Sequence, residues 1–219
     1  DVETDDVKAT KIWCIVAQDV DSKKIFEFPP DKLSEACKLL SNASTLIGHN
    51  IIGFDIPIVE KFCNINLSNK EIIDTLVLSR LFNPVRDGGH SLETWGYKLG
   101  YPKIQFEEYD KYSDKMLEYC VRDVELNTKV FYKLREESKG FSKECIELEN
   151  SVAKIIKQQE VNGFKFDMTA AQLLLAELRE KMQKIEDEVH STFKPKWVDE
   201  KIITPYIRKD GKLSKRGLT

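Results

Sequence analysis

The sequence predicts an α/β protein in which a mixed β-sheet is flanked by helices and followed by an α-helical extension. Three observations support this class. Apolar, β-branched stretches alternate with helical periodicities up to about residue 140, their order is β-β-β-α-β-α-β-α, and no strong strand pattern follows Asp167. A chain of 219 residues can bury one core with a second, smaller unit beside it.

The first strands are predicted to form an antiparallel hairpin. Residues 11–20 (KIWCIVAQDV) are apolar and β-branched, and residues 23–30 (KKIFEFPP) have the pattern of a partner strand stopped by two prolines. We expect this hairpin to extend a strand that contains Asp1 and Glu3.

The rest of the first part alternates between further helices and strands. The predicted elements are a helix over 31–42 with Asp31 as N-cap, a strand over 44–50, a helix over 54–63, a strand running into a helix over 72–82 with Asp74 as its cap, a short helix over 90–100 ended by Gly100, and a long helix over 113–137 capped by Ser113.

The character of the sequence changes near residues 140–145. A helix ending near Gly163 is followed by a second long helix whose Leu173–Leu178 stretch is an apolar face that needs a partner. We therefore predict one domain over residues 1–142 and a helical extension over residues 143–219. The extension ends in a basic tail that either follows DNA phosphates or is a solvated end: Arg208, Lys209, Lys212, Lys215 and Arg216.

Composition sets limits on the class of protein. The formal net charge of −3 gives no overall basic field, although a nuclease that binds cations through carboxylates would also have a lowered charge. Five scattered cysteines without a CxxC pair favour reduced thiols and a cytoplasmic protein. No apolar run is long enough to span a membrane. The absence of an initiator Met indicates that the natural protein extends before Asp1, and we expect it to extend past Thr219 as well.

Four acidic residues and one tyrosine stand on elements that could bring them together. Asp1 and Glu3, two positions apart in a strand, share a face, and Asp55 begins a helix after a strand. Tyr119 and Asp123 are four positions apart in a helix and also share a face. Convergence of four carboxylates would require divalent cations, and oxygen ligands suit Mg²⁺ or Mn²⁺. Each motif alone is more often a solvated surface feature, so their order on the right elements carries the argument.

The motif set resembles a known superfamily. The strings DVE (1–3), HNIIGFD (49–55) and YCVRD (119–123) resemble the three exonuclease motifs of the DEDD superfamily, in its tyrosine subtype. Three longer strings resemble the family A replicative DNA polymerases of short-tailed, T-odd type bacteriophages: IDTLVLSRLF (73–82), HSLETWGYKLG (90–100) and KQQEVNGFKFD (157–167). This resemblance implies a ribonuclease H-like 3′→5′ proofreading exonuclease domain over 1–142 and the helical start of a polymerase module over 143–219.

The resemblance also implies roles for individual residues. Asp1, Glu3 and Asp123 would bind the ion that activates water, while Asp1 and Asp55 would hold a second ion. Tyr119 would position the attacking water. Asn50 and Phe54 would contact the terminal nucleotides. The implied cofactors are two Mg²⁺ or Mn²⁺ ions, and the implied products are nucleoside 5′-monophosphates.

Partners and alternatives follow from the same resemblance. The implied partners are a single-stranded or frayed DNA 3′ end, the remainder of the polymerase chain and a processivity factor, in the host cytoplasm if a phage encodes the protein. Two alternatives stay open: a catalytically silent DNA-binding scaffold domain of a polymerase, and a free-standing RNA-trimming exonuclease. The presence of all four acids argues against the first, and the NGFKFD segment argues against the second.

Overall fold

A computed structural model describes residues 1–5 and 9–194 and shows an α/β protein. The strands are β1 (Val2–Thr4), β2 (Ile12–Gln18), β3 (Ile25–Phe28), β4 (Thr45–Gly48) and β5 (Glu71–Asp74). The helices are α1 (Leu33–Asn42), α2 (Asp55–Cys63), α3 (Thr75–Phe82), α4 (Leu92–Lys98), α5 (Asp114–Glu137), α6 (Lys143–Asn162) and α7 (Met168–Thr192). The predicted order of elements is confirmed, and among the described residues no strand follows β5.

The described strands form two hydrogen-bonded sheets rather than the single mixed sheet that we predicted. β1, β2 and β3 form an antiparallel sheet, and β4 pairs with β5 in parallel. The predicted hairpin is therefore confirmed. The α/β class is also confirmed, whereas the ribonuclease H-like topology stays an expectation.

At β1, an edge strand of the antiparallel sheet, one main-chain donor is used by a side chain. Asp1 and Val16 exchange both main-chain hydrogen bonds, so the Val2 N–H points away from β2. That N–H donates to the carboxylate of Asp55. The Asp55 side chain thus pairs with this edge of the sheet, and the register of β1 against β2 shifts between Glu3 and Thr4.

Helix caps mostly match the sequence. The Asp74 side chain accepts the first free N–H groups of α3, and the Ser113 hydroxyl accepts the Met116 N–H at the start of α5. The expectation for Asp31 is wrong, because a 3₁₀ turn over Pro30–Lys32 leads into α1 and its N-cap has no side-chain hydrogen bond.

The long helix α5 packs against β2 and builds two of the three apolar clusters. One cluster joins Cys14 and Val16 of β2 to Met116 and Cys120. Another surrounds Leu134 at the other end of the helix. Because α5 is buried along its length, its polar residues Tyr119 and Asp123 are fixed relative to β1 and β2.

A disulfide joins Cys37 of α1 to Cys63 of α2, with a Cα–Cα distance of 5.7 Å. The expectation that all five cysteines are reduced thiols is therefore wrong. Cysteine spacing did not predict this disulfide. The two cysteines are 26 positions apart in the sequence and become neighbours only when helices α1 and α2 pack together.

The chain divides into two compact units, Asp1–Gly163 and Phe164–Thr219. Helix α6 belongs to the first unit, where its Asn150 side-chain oxygen accepts the Asp74 N–H. The boundary between the compact units thus falls 21 residues after the predicted boundary at 142/143, while the division into functional modules stays a prediction. In the second unit the Leu173–Leu178 stretch of α7 is exposed. The basic tail lies outside the described residues, and no described helix is long and apolar enough to cross a membrane.

Candidate active site

Asp1 and Glu3 present their carboxylates on one face at the start of β1. The strand geometry that pairs Asp1 with Val16 places both side chains toward α5, as their spacing predicts. Oxygen atoms of the two carboxylates and the Sγ of Cys120 all lie within 4.8 Å of one another. The Cys120 thiol donates to Asp1 Oδ2 at 3.5 Å, so this buried cysteine also contacts the acidic cluster and does more than pack in the core.

Asp55 is a buried carboxylate at the N-terminus of α2. It accepts hydrogen bonds from its own N–H and from that of Val2, yet burial raises its pKa to about 6. Its Oδ1 atom is buried and has no hydrogen-bond partner within the described part of the chain. A buried carboxylate oxygen without a partner is costly, and a cation would satisfy it.

Tyr119 and Asp123 face the same cluster from α5. The Tyr119 hydroxyl donates to Asp123, whose side chain is 6% exposed. Asp123 Oδ2 lies 2.6 Å from Lys103 Nζ, while its buried Oδ1 has no partner among the described residues. Burial raises the pKa of Asp123, and Lys103 and Tyr119 oppose that shift.

All four carboxylates line one cavity of about 800 Å³. Among the described residues, only Asp1 and Glu3, together with Cys120, have ligand atoms within 4.8 Å of one another, and Asp55 and Asp123 lie outside that close group. Its lining includes Asp1, Glu3, Asp55, Phe54, Tyr119, Asp123, His49 and Lys103. Burial raises the pKa of Glu3 to about 7, and the negative charges of Asp123 and Asp55 add to that shift. These carboxylates therefore repel one another, which is the electrostatic condition that hard divalent cations relieve.

The two residues predicted to contact the DNA, Phe54 and Asn50, differ in their position relative to the cavity. Phe54 lines the cavity. Asn50 is exposed, has φ of 62° and donates its N–H to Asp74 Oδ1 at 2.9 Å. A Cβ on Gly53 would lie 2.4 Å from Asn50 Oδ1, so a larger residue there would displace the Asn50 side chain. Asn50 is not among the cavity-lining residues, and its contact with a nucleotide stays a prediction.

His49 and Trp95 have the packing roles that their types suggest. His49 Nδ1 lies 3.0 Å from Thr75 Oγ1, and burial lowers its pKa to about 4, so the imidazole is neutral. Trp95 is 2% exposed and donates from Nε1 to Ser79 Oγ.

Lys103 and the aromatic residues beside it were not predicted from the sequence. Phe106 stacks on Tyr119 with ring centroids 5.5 Å apart, and Tyr109 contacts the edge of the same ring at 6.4 Å. All three lie between α4 and α5, where residues 101–109 have no regular structure and hence no periodicity to assign a face. The one sequence feature that could have pointed to this segment is the spacing of the two aromatic residues in KIQFEEY (103–109).

Comparison with known proteins adds an independent finding: over most of its length the chain is similar to bacteriophage DNA-directed DNA polymerases, although no family model matches it. It is 24% identical to the enzyme of Escherichia phage T7 over 85% of its length, and 24% identical to that of Enterobacteria phage T3 over 88%. It spans 36% of the length of either relative. This homology confirms the resemblance to phage DNA polymerases.

Proposed function

We propose that this chain is the 3′→5′ proofreading exonuclease portion of a DNA-directed DNA polymerase that acts in phage DNA replication. The observation that supports the proposal is that Asp1, Glu3, Asp55, Tyr119 and Asp123 line the same cavity. The site hydrolyses the last phosphodiester bond of a DNA strand and releases a nucleoside 5′-monophosphate.

The donor set fits divalent metal ions. It consists of carboxylate oxygens, two of which are buried without partners among the described residues. Asp1, Glu3 and Asp123 would hold one Mg²⁺ or Mn²⁺, and Asp1 and Asp55 a second. Two such ions, when bound, would lower the pKa of a bound water and stabilise the charge on the leaving 3′ oxygen.

Tyr119 has the position of an orienting group for the attacking water. Burial and the neighbouring Asp123 charge raise its pKa well above the ordinary value, so the hydroxyl keeps its proton at neutral pH. While its single O–H donates to Asp123, the neutral hydroxyl can accept a hydrogen bond from water, but it does not act as a base. The phenol therefore positions the nucleophile while the carboxylates supply the charge.

The cavity suits an unpaired 3′ end better than a duplex. Phe54 offers an aromatic surface on its lining, and a splayed terminal base can stack on such a surface. Bases held in a stacked duplex cannot enter without unpairing. The remainder of the polymerase chain and a processivity factor are the partners that this proposal requires beyond DNA.

Digestion of a 5′-labelled single-stranded DNA tests the proposal. With Mg²⁺ or Mn²⁺ we expect a ladder that shortens from the 3′ end, and none with EDTA. Asp55→Asn should lower the rate at least about a hundredfold, because it weakens metal binding without changing side-chain size. Asp87→Asn, at an exposed acid outside the cavity, is the matched control and should cut like the parent.

The same assay separates the alternatives. A folded protein that binds Mn²⁺ and DNA yet gives no ladder is a silent scaffold domain. A protein that shortens RNA but leaves DNA intact is an RNA-trimming exonuclease. Either result contradicts the proposal.

A further inference from the structure

Lys103 is a cation inside the acidic cavity. Its side chain is 20% exposed, and Nζ lies 2.6 Å from Asp123 Oδ2 and 4.8 Å from the centre of the Tyr119 ring. Among the described residues that line the cavity, it is the only lysine or arginine. In the metal-free protein, the Lys103 ammonium therefore places a positive charge directly beside the Asp123 carboxylate.

The segment that carries Lys103 is held against the site by aromatic contacts. Phe106 stacks on Tyr119, and the Tyr109 carbonyl accepts the Trp13 Nε1–H at 3.0 Å. These contacts fix the backbone three and six residues beyond Lys103. The ammonium of lysine is carried on a flexible chain of four carbons, so it can move several ångströms while this backbone stays in place.

A divalent ion on Asp123 would change the surroundings of the ammonium. The pair with Oδ2 neutralises Asp123 when no metal is present. An ion bound to the same carboxylate would repel the ammonium and weaken that pair. A DNA strand entering the cavity would bring phosphate oxygens, the natural partners of a displaced lysine.

We propose that Lys103 is a substrate-binding residue that pairs with Asp123 in the metal-free protein and moves to a phosphate of the DNA 3′ end once metal and DNA bind. This inference rests on the proposed exonuclease function. It makes Lys103 a competitor of the metal ion in the absence of DNA and a contributor to DNA affinity in the presence of metal.

Lys103→Met tests both effects, because methionine keeps an unbranched side chain and removes the charge. Without DNA, calorimetric titration with Mn²⁺ should show binding at least threefold tighter than in the parent. With Ca²⁺, fluorescence anisotropy of a labelled single-stranded DNA should show binding about tenfold weaker. Lys103→Arg should retain DNA binding, and Lys111→Met, at an exposed lysine of the same segment, should match the parent in both titrations.

The salt dependence of DNA binding separates phosphate contact from a structural ion pair. Loss of one phosphate contact should reduce the slope of log affinity against log salt by about 0.7 for a single strand. An unchanged slope and unchanged DNA affinity in Lys103→Met would overturn the inference, even if Mn²⁺ binding tightens. If the parent protein itself neither binds Mn²⁺ nor shortens DNA, the proposed function fails. If the parent does both and Lys103→Met binds DNA normally, only the role of Lys103 fails.

Discussion

Glu3→Gln should stabilise the metal-free protein at alkaline pH, although it removes a predicted metal ligand. The pKa of Glu3 is raised from 4.5 to about 7, mainly by burial and next by the charge of Asp123. Each pKa unit corresponds to about 1.4 kcal/mol, so ionised Glu3 costs up to about 3 kcal/mol. Because Glu3 is partly exposed to solvent, we expect about 2 kcal/mol in practice.

The sign of the pH dependence follows from proton binding. Between pH 4.5 and 7 the folded state holds a proton on Glu3 that the unfolded state has released. The free energy of unfolding therefore falls as pH rises through this window. Above pH 7 the full cost is present, and below pH 4.5 it disappears. The glutamine variant lacks this contribution, so the two proteins should differ at pH 8 and converge near pH 4.5.

Urea unfolding in EDTA at several pH values measures this difference. With saturating Mn²⁺ the order should reverse at pH 8, since the cation stabilises the parent through Glu3 and the variant has lost that ligand. The reasoning would be refuted if Glu3→Gln were no more stable than the parent at pH 8 in EDTA, or if Mn²⁺ stabilised both proteins equally.

Two further predictions concern the scaffold around the site. Asp74→Ala should lower the free energy of unfolding by about 3 kcal/mol in urea denaturation, because four N–H groups that donate to this buried carboxylate, including those of Asn50 and Ile52, lose their acceptor; a loss below 1 kcal/mol would contradict this role. Reducing the Cys37–Cys63 disulfide should lower the free energy of unfolding by about 3 kcal/mol, from the entropy of a 26-residue loop. Thermal melts with and without reductant measure this effect, Cys145→Ser provides the control, and identical melting temperatures would count against it.

Local rules predicted the elements well. Periodicity located α5, and the caps Asp74 and Ser113 were readable because a side chain and the N–H groups it accepts lie within three residues of each other. The same rule gave a wrong prediction for Asp31, because Pro30 begins a 3₁₀ turn and the α-helix therefore starts later in the chain. Such local competition is invisible to a rule based on residue type alone.

Long-range contacts were harder to predict. The spacing of Asp1 with Glu3, and of Tyr119 with Asp123, gave shared faces correctly, since each pair lies within one element. The contact of Lys103 with Asp123 joins an irregular segment to a helix, and no sequence period predicts it. The Cys37–Cys63 bond and the division of the strands into two sheets likewise depend on how distant elements pack.

We propose that the four carboxylates jointly hold two divalent cations for 3′-end hydrolysis. Counting bound Mn²⁺ by electron paramagnetic resonance, with a nucleoside 5′-monophosphate present, tests it most directly. We predict two ions per chain in the parent protein and at most one in Asp55→Asn, with Asp87→Asn unchanged. Absence of bound Mn²⁺ in the parent, or equal binding by the parent and Asp55→Asn, would contradict the claim.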